Sequence, residues 1–334
     1  MLQLTAENAA GYLRSLGRVG PGPVRITALG GGVSNVVLRV ETAAGSLVLK
    51  QSCPQLRTKD AWFSDLDRVY REEEVMRLLR PLLPAPVVPE VLFGDRENYL
   101  FAMSHAPMAS RSWKEELLAG RADPSVGEAV GAVLGRMHEA TARAPGLADR
   151  LGDRKVFIQL RVEPFYRRVQ ERRPEVAELI EPIAHRLLTA QDAICHGDYT
   201  PKNILVHAQG FTLVDYETAH FGDPTMDLGL CLAHILLKAA RTGANRELYL
   251  ALSRAFWQGY EREVRYRPIA ELQAQGIEHL AVCLLARIDG TSPVDYLPEE
   301  PRREAVRQLA RRLLRERIDT WNEVLRVAGQ TLSC

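Results

Sequence analysis

Asp198 stands five residues before Asn203, and Asn203 twelve before Asp215, in the segments His196-Gly197-Asp198-Tyr199-Thr200-Pro201-Lys202-Asn203 and Val214-Asp215-Tyr216-Glu217. Oxygen-bearing side chains at this spacing suit phosphoryl transfer to an alcohol. One group accepts the hydroxyl proton, and two others hold magnesium on a nucleotide tail. In that reading Asp198 orients the attacking hydroxyl and Asn203 takes one metal ion. Asp215 bridges metal to phosphate, and Glu217 adds a metal oxygen. Fixed countercharge would then meet the charge that spreads over the transferred group. The plainer alternative is a surface turn in which Asp198 and Asn203 cap backbone groups. Glu217, in step with the other three, argues against it.

These residues need a scaffold that folds them together. Ala193-Ile194-Cys195 reads as a short buried strand. The apolar runs Asn203 to Val206 and Phe211 to Val214 flank a His-Ala-Gln-Gly turn, the pattern of a hairpin. Such a hairpin carries Asn203 at its start and Asp215 at its far end, and so returns both to Asp198.

A nucleotide site is expected upstream. Gly30-Gly31-Gly32-Val33-Ser34-Asn35 precedes the alternating run Val36 to Val40 and then Ser46-Leu47-Val48-Leu49-Lys50. Glycines let backbone amides approach phosphate, which makes Gly31, Gly32, Ser34 and Asn35 candidate contacts; an ordinary hairpin explains the same residues. Lys50, ending a strand, would pair with the α- and β-phosphates of ATP. The stretch Asp65 to Arg80 has helical periodicity through Leu66, Val69, Val75, Leu78 and Leu79. Its Glu72, Glu73 and Glu74 are either partners for Lys50 or a solvated face balancing Arg68, Arg71 and Arg77. Tyr99 to Pro107 reads as a strand ending in a proline-limited connection. Met103 and His105 there would border adenine.

The catalytic segment resembles that of the aminoglycoside phosphotransferase and choline kinase superfamily, relatives of the protein kinases. His-Gly-Asp stands where protein kinases carry His-Arg-Asp, and Asp215-Tyr216-Glu217 where they carry Asp-Phe-Gly. No Ala-Pro-Glu signal follows. These departures point to a small alcohol rather than a protein substrate. The resemblance implies an α+β, two-lobed protein-kinase-like fold. Residues 1–104 would form a small lobe of mixed sheet plus helix, and 105–334 a larger helical lobe. It singles out Glu72 as the partner of Lys50, about two turns before Leu79, and makes Asp227 an acid that braces the catalytic loop. A simple helix N-cap is the plainer role for Asp227.

The segment Leu49-Lys50-Gln51-Ser52-Cys53-Pro54-Gln55-Leu56-Arg57, with Trp62 ten residues before Glu72, is similar to methylthioribose kinase. Ala286-Arg287-Ile288-Asp289-Gly290 resembles that family's sugar-contacting helix, which makes Arg287 and Asp289 substrate candidates. An arginine pairing a nearby acid explains the same residues. The implied function is an ATP- and Mg2+-dependent kinase acting on a hydroxyl of a small sugar or alcohol. An aminoglycoside kinase and a catalytically silent nucleotide-binding protein are the alternatives.

The rest of the sequence is consistent with such an enzyme. A net charge of +1 over 334 residues gives no electrostatic case for nucleic acid or an anionic membrane. The five cysteines show no zinc or disulfide spacing, and the eight histidines form no metal motif. A cytoplasmic monomer or homodimer is expected. The apolar stretch Leu228 to Leu237 is too short to span a bilayer and reads as a buried helix, with His234 as a satisfied core histidine. The arginines between Arg302 and Arg317 alternate with acids as on a solvated helix face.

Overall fold

The computed structural model describes residues 2–30, 35–53, 65–243, 245–316 and 318–332. Gly31, Gly32 and Ser34 of the glycine run, and Pro54, Arg57 and Trp62 of the following segment, lie outside them.

Five strands form the first sheet: β1 (Arg25–Ala28), β2 (Asn35–Thr42), β3 (Gly45–Ser52), β4 (Val91–Asp95) and β5 (Leu100–Ser104), in the order β1-β2-β3-β5-β4. Every pairing is antiparallel, where a mixed sheet was expected. Because successive side chains point to opposite faces, the register sorts the residues into two layers. Leu38, Val40, Leu49, Leu100 and Ala102 pack with Leu4 and Leu13, the latter on helix α1 (Ala9–Ser15). On the other face Val48, Phe101 and Met103 meet Val69, Val75 and Leu79 of helix α2 (Arg68–Leu79). Lys50 sits opposite Phe101 and shares this inner face.

Helix α2 buries Arg68, Val69, Glu72, Val75, Met76 and Leu79, a single stripe at helical spacing. Two of those six are charged, so this stripe faces something other than hydrocarbon. Glu73 and Glu74 instead pair at the surface with Arg77 and Arg150.

After Ser104 the chain is mostly helical. The short strand β6 (Arg111–Ser112) leads into helix α3 (Trp113–Leu118) and then helix α4 (Pro124–Thr141). Helix α4 packs tightly on the helix Arg246–Glu263. A β-carbon on Gly131 would stand 1.9 Å from the Phe256 carbonyl oxygen, so the two backbones approach only because that side chain is absent. The segment Ile158–Arg167 forms a wider π-helix containing Pro164. Its looser hydrogen-bonding frame is one often found at functional sites.

The buried strand β7 (Ala193–Cys195) pairs with β10 (His220–Gly222). The hairpin β8 (Ile204–His207) and β9 (Gly210–Leu213) carries β6 on its other edge. The apolar run 228–237 lies inside the helix Thr225–Arg241. Among the described residues no helix is long and apolar enough to cross a membrane.

Candidate functional site

The loop between β7 and β8 is shaped by its backbone hydrogen bonds. Asp227, in the first turn of the helix Thr225–Arg241 and 0 % exposed, accepts the His196 N–H at 2.7 Å and the Gly197 N–H at 2.9 Å. Gly197 has φ +74, and a β-carbon there would lie 2.7 Å from the Thr218 carbonyl oxygen, so the turn needs glycine twice over. The buried His196 ring accepts the Asp198 N–H at Nδ1, and burial holds its imidazole below the ordinary range. Asp198 is thereby turned outward.

Asn203 closes a short turn, Pro201–Asn203, immediately before β8. Its Nδ2 donates to Asp198 Oδ2 at 2.8 Å and to the Asp198 carbonyl at 3.0 Å. The Val214 N–H returns to the Asn203 carbonyl, which places Asp215 beside the start of its own hairpin. Asp215 adopts φ 72, a left-handed conformation uncommon for residues with a side chain.

Partners on the sheet side hold it there. Lys50, 4 % exposed, reaches Asp215 at 2.5 Å and Glu72 at 2.6 Å. Glu72 also accepts the Tyr216 N–H at 3.2 Å, tying α2 to the hairpin's end. Burial alone would lower the Lys50 ammonium, but Asp215 and Glu72 outweigh it and hold it above the usual lysine range. Burial pushes the Glu72 carboxyl up to about 7 against the pull of Lys50. At Asp215 burial is overridden by Lys50 and Lys202, which keep its carboxyl below the ordinary range.

Glu217 and Asn35 meet each other. Glu217 Oε2 accepts from Asn35 Nδ2 at 2.8 Å and from Arg68 Nε at 3.0 Å. Arg68 also reaches the Cys53 carbonyl and Asn35 Oδ1.

A cavity of about 220 Å3 takes in Asp198, Lys202, Asp215 and Glu217. It is also bordered by Lys114, Arg161, His234, Lys238, Arg287 and Tyr296. A larger surface depression of about 840 Å3 runs along α2 through Tyr70 and Arg77 and contains none of the catalytic candidates.

The profile of the phosphotransferase enzyme family matches residues 25–266, which hold the sheet, the catalytic loop and the hairpin. The chain belongs to this family. A methylthioribose kinase from Exiguobacterium sibiricum is 26 % identical over 269 residues, 70 % of this chain and 67 % of that relative. The methylthioribose kinase of Yersinia pseudotuberculosis is 25 % identical over 311 residues, 81 % and 75 % of the two chains. Among solved structures, an amicoumacin kinase in complex with AMP-PNP, Ca2+ and Ami matches with a TM-score of 0.57 at 14 % identity, covering 90 % of this chain and 91 % of that one. A Plasmodium vivax ethanolamine kinase matches with a TM-score of 0.56 at 11 % identity, covering 97 % and 87 %. The fold is therefore protein-kinase-like, and the chain is a phosphotransferase that acts on a hydroxyl group of a small molecule.

Within this phosphotransferase the sequence-based candidates separate into groups. Lys50, Glu72, Asp198, Asn203 and Asp215 converge. Met103 lies buried on β5, and the His105 Nδ1 just beyond it is buried with no hydrogen-bond partner among the described residues. Arg287 borders the cavity, but Asp289 is a correction. Two residues apart on the helix Ile269–Asp289, the pair project about 200° apart around its axis. The Asp289 carboxylate turns instead to Arg173 at 2.8 Å and Arg307 at 3.0 Å. His234 is a second correction: it borders the cavity rather than filling the core.

Two residues that bond the catalytic candidates went unseen in the sequence. Arg161, on the π-helix, places Nη2 2.7 Å from Asp198 Oδ1 and donates from Nε to the Gly197 carbonyl at 2.8 Å. No local pattern announces it. Arg68 was read only as a surface counter-charge, although its position one turn before Glu72 on the buried stripe was a usable signal.

Proposed function

We propose that the chain transfers the γ-phosphate of ATP to a hydroxyl of a small, sugar-sized acceptor, the chemistry named for its methylthioribose kinase relatives. The carrying observation is that Asp198 and Asp215 border one cavity, with Asn203 bonded to the first and Lys50 to the second. A volume near 220 Å3 is below the range of about 300–1,000 Å3 common for drug-sized ligands, which favours a compact acceptor.

In this reading residues 1–104 form the nucleotide lobe and 105–334 the catalytic lobe of a cytoplasmic enzyme, as monomer or homodimer. Lys50 leaves Asp215 to pair with the α- and β-phosphates. Met103 with the backbone around His105 borders adenine. Asn203 and Asp215 are all-oxygen donors of the kind Mg2+ takes alongside nucleotide phosphates, and they would hold it. When bound, the ion neutralises phosphate charge. Glu217, locked by Arg68, braces the metal motif. Asp198 accepts the acceptor's hydroxyl proton as the new oxygen–phosphorus bond forms and the bond to the β-phosphate oxygen breaks, releasing ADP.

An aminoglycoside acceptor is disfavoured because a polycation needs carboxylates, and the acceptor side of this cavity is lined by Lys114, Lys238 and Arg287. The deciding experiment compares wild type with Asp198→Asn. The variant should unfold at the same urea concentration and bind Mg·AMP-PNP normally, yet lose acceptor-dependent ADP release by about 10²-fold or more. Wild-type turnover in this variant would remove the mechanism.

A further inference from the structure

Besides Lys202 beside Asp198, the cavity gathers four cations from four helices: Lys114 on α3, Arg161 on the π-helix, Lys238 on the helix Thr225–Arg241 and Arg287 on the helix Ile269–Asp289. With 43 basic and 42 acidic residues in the chain, this is local placement and not composition. Elsewhere the buried basic groups have acids, as Lys50 has Glu72 and Arg307 has Asp289. Here, among the described residues, only Arg161 has one, Asp198.

Lys238 is 1 % exposed, and among the described residues its ammonium reaches only the His234 carbonyl at 2.9 Å and the Tyr296 hydroxyl at 3.5 Å. The Arg287 Nε is buried with no hydrogen-bond partner among the described residues, and its guanidinium lies 5.9 Å from the Phe165 ring. Lys114 and Lys238 flank the Tyr296 ring at 5.9 and 5.0 Å. Apart from Asp198, Asp215 and Glu217, the cavity's one carboxylate is the exposed Asp295. Burial pushes the Lys238 ammonium down to about 7, with Lys114 and Arg287 adding to the effect. Among the described residues these basic groups lack an acid in hydrogen-bond reach, and holding their charged forms this close carries an electrostatic cost, which a bound oxyanion would relieve.

Resting on the kinase reading above, we propose that the acceptor is an anionic hydroxy compound, its carboxylate or phosphate ester seated among Arg287, Lys238 and Lys114 while its alcohol reaches Asp198. The ATP phosphates have their own cations in Lys50 and Lys202, the latter close enough to lower the Asp215 carboxyl.

The test pairs acceptors that differ in charge: ribose 5-phosphate and ribose, glycerate and glycerol, with methylthioribose, choline and gentamicin, all with Mg·ATP and the full chain. An anionic member should exceed its neutral counterpart in kcat/KM by roughly 10- to 100-fold, the scale of one hydrogen bond to a charged group. The sugar phosphate and the hydroxy acid arms tell the two oxyanions apart. Arg287→Met and Lys238→Met should raise the acceptor KM by a similar factor and leave the ATP KM unchanged, and Arg287→Lys should recover much of the loss. As a reading independent of turnover, ribose 5-phosphate and sulfate should bind the Mg·AMP-PNP complex of wild type at least 10-fold more tightly than that of the Arg287→Met/Lys238→Met variant. Equal binding to both proteins, or phosphorylation of methylthioribose or choline at least as efficient as that of every anion, would overturn the proposal and leave the kinase reading standing. Failure to bind Mg·AMP-PNP at all would overturn both.

Discussion

Asp227→Asn tests whether the catalytic loop is held by a buried anion. The carboxylate accepts two backbone N–H groups, at 2.7 and 2.9 Å, and its oxygens are out of contact with water. Burial alone would raise its carboxyl, yet His138 and His196 hold it below the ordinary range, so at neutral pH it is charged. Asparagine matches the shape but offers one acceptor oxygen, so either the His196 or the Gly197 N–H must face an amide NH2. The loss of one charge-assisted bond, about 1.5–3 kcal/mol, adds to the cost of stranding a buried donor, about 1–3 kcal/mol. A loss of about 3–5 kcal/mol is expected as a lower urea midpoint with an unchanged slope. The same repulsion displaces the turn that aims Asp198, and a misplacement near 1 Å costs about 10²-fold in turnover. Nucleotide affinity should hold, because Lys50, Glu72 and Asp215 are positioned from the sheet and α2. Stability within about 0.5 kcal/mol of wild type together with unchanged turnover would refute the reasoning. Weakened Mg·AMP-PNP binding with turnover preserved would show that the brace serves the wrong side of the site.

Three further outcomes follow from the same structure. Arg68→Met takes the guanidinium away from the buried Glu217 carboxylate, leaving the Asn35 amide on it, and should cost about 3–5 kcal/mol, read as a urea midpoint; a neutral result would mean that the ion pair adds nothing to what Asn35 already supplies. Gly131→Ala drives a methyl group onto the Phe256 carbonyl and should lower stability by about 3 kcal/mol, whereas a wild-type midpoint would show that the helix pair can part without loss. Burial pushes the His220 imidazole down to about 4, so between about pH 6.5 and 4 the unfolded chain takes up a proton that the folded one refuses. Stability should therefore be full above pH 6.5 and fall on acidification by on the order of 3 kcal/mol at pH 4, and His220→Gln should remove about 1.4 kcal/mol per pH unit of that slope; equal slopes would contradict it.

What the sequence revealed and what it hid divide along one physical line. Asp198, Asn203 and Asp215 are legible because a short loop and a tight hairpin bring them together within eighteen residues, and turn chemistry alone nearly fixes their neighbourhood. Lys50 was legible as a lysine at the end of a strand-like run, in the place of the kinase lysine. Glu72 was narrowed from three glutamates by family likeness, and the buried stripe of α2 gives the physical reason: only the residue in line with Val69 and Val75 can point at the sheet. Gly31, Gly32 and Ser34 of the glycine run, and residues 54–64 after Cys53, fall outside the described residues.

The acceptor side follows different rules. Arg161, Lys238 and Arg287 stand more than forty residues apart from one another and meet only because three helices pack around one cavity, which no periodicity encodes. The same cause explains the two misreadings. His234 sits in an apolar run, yet it lies one turn from Lys238, and a lysine on that face was the available sign that the face opens onto something polar. Asp289 gained its candidacy by standing near Arg287, but nearness along a helix is not nearness around it. In the proposed site the catalytic candidates sit on a local motif while the candidate acceptor contacts are spread over tertiary structure, so chains that share the first can differ in the second. Likeness at 25–26 % identity therefore carries the reaction of the methylthioribose kinases further than it carries their substrate. The unpaired charge in the cavity is the better guide to what this chain phosphorylates.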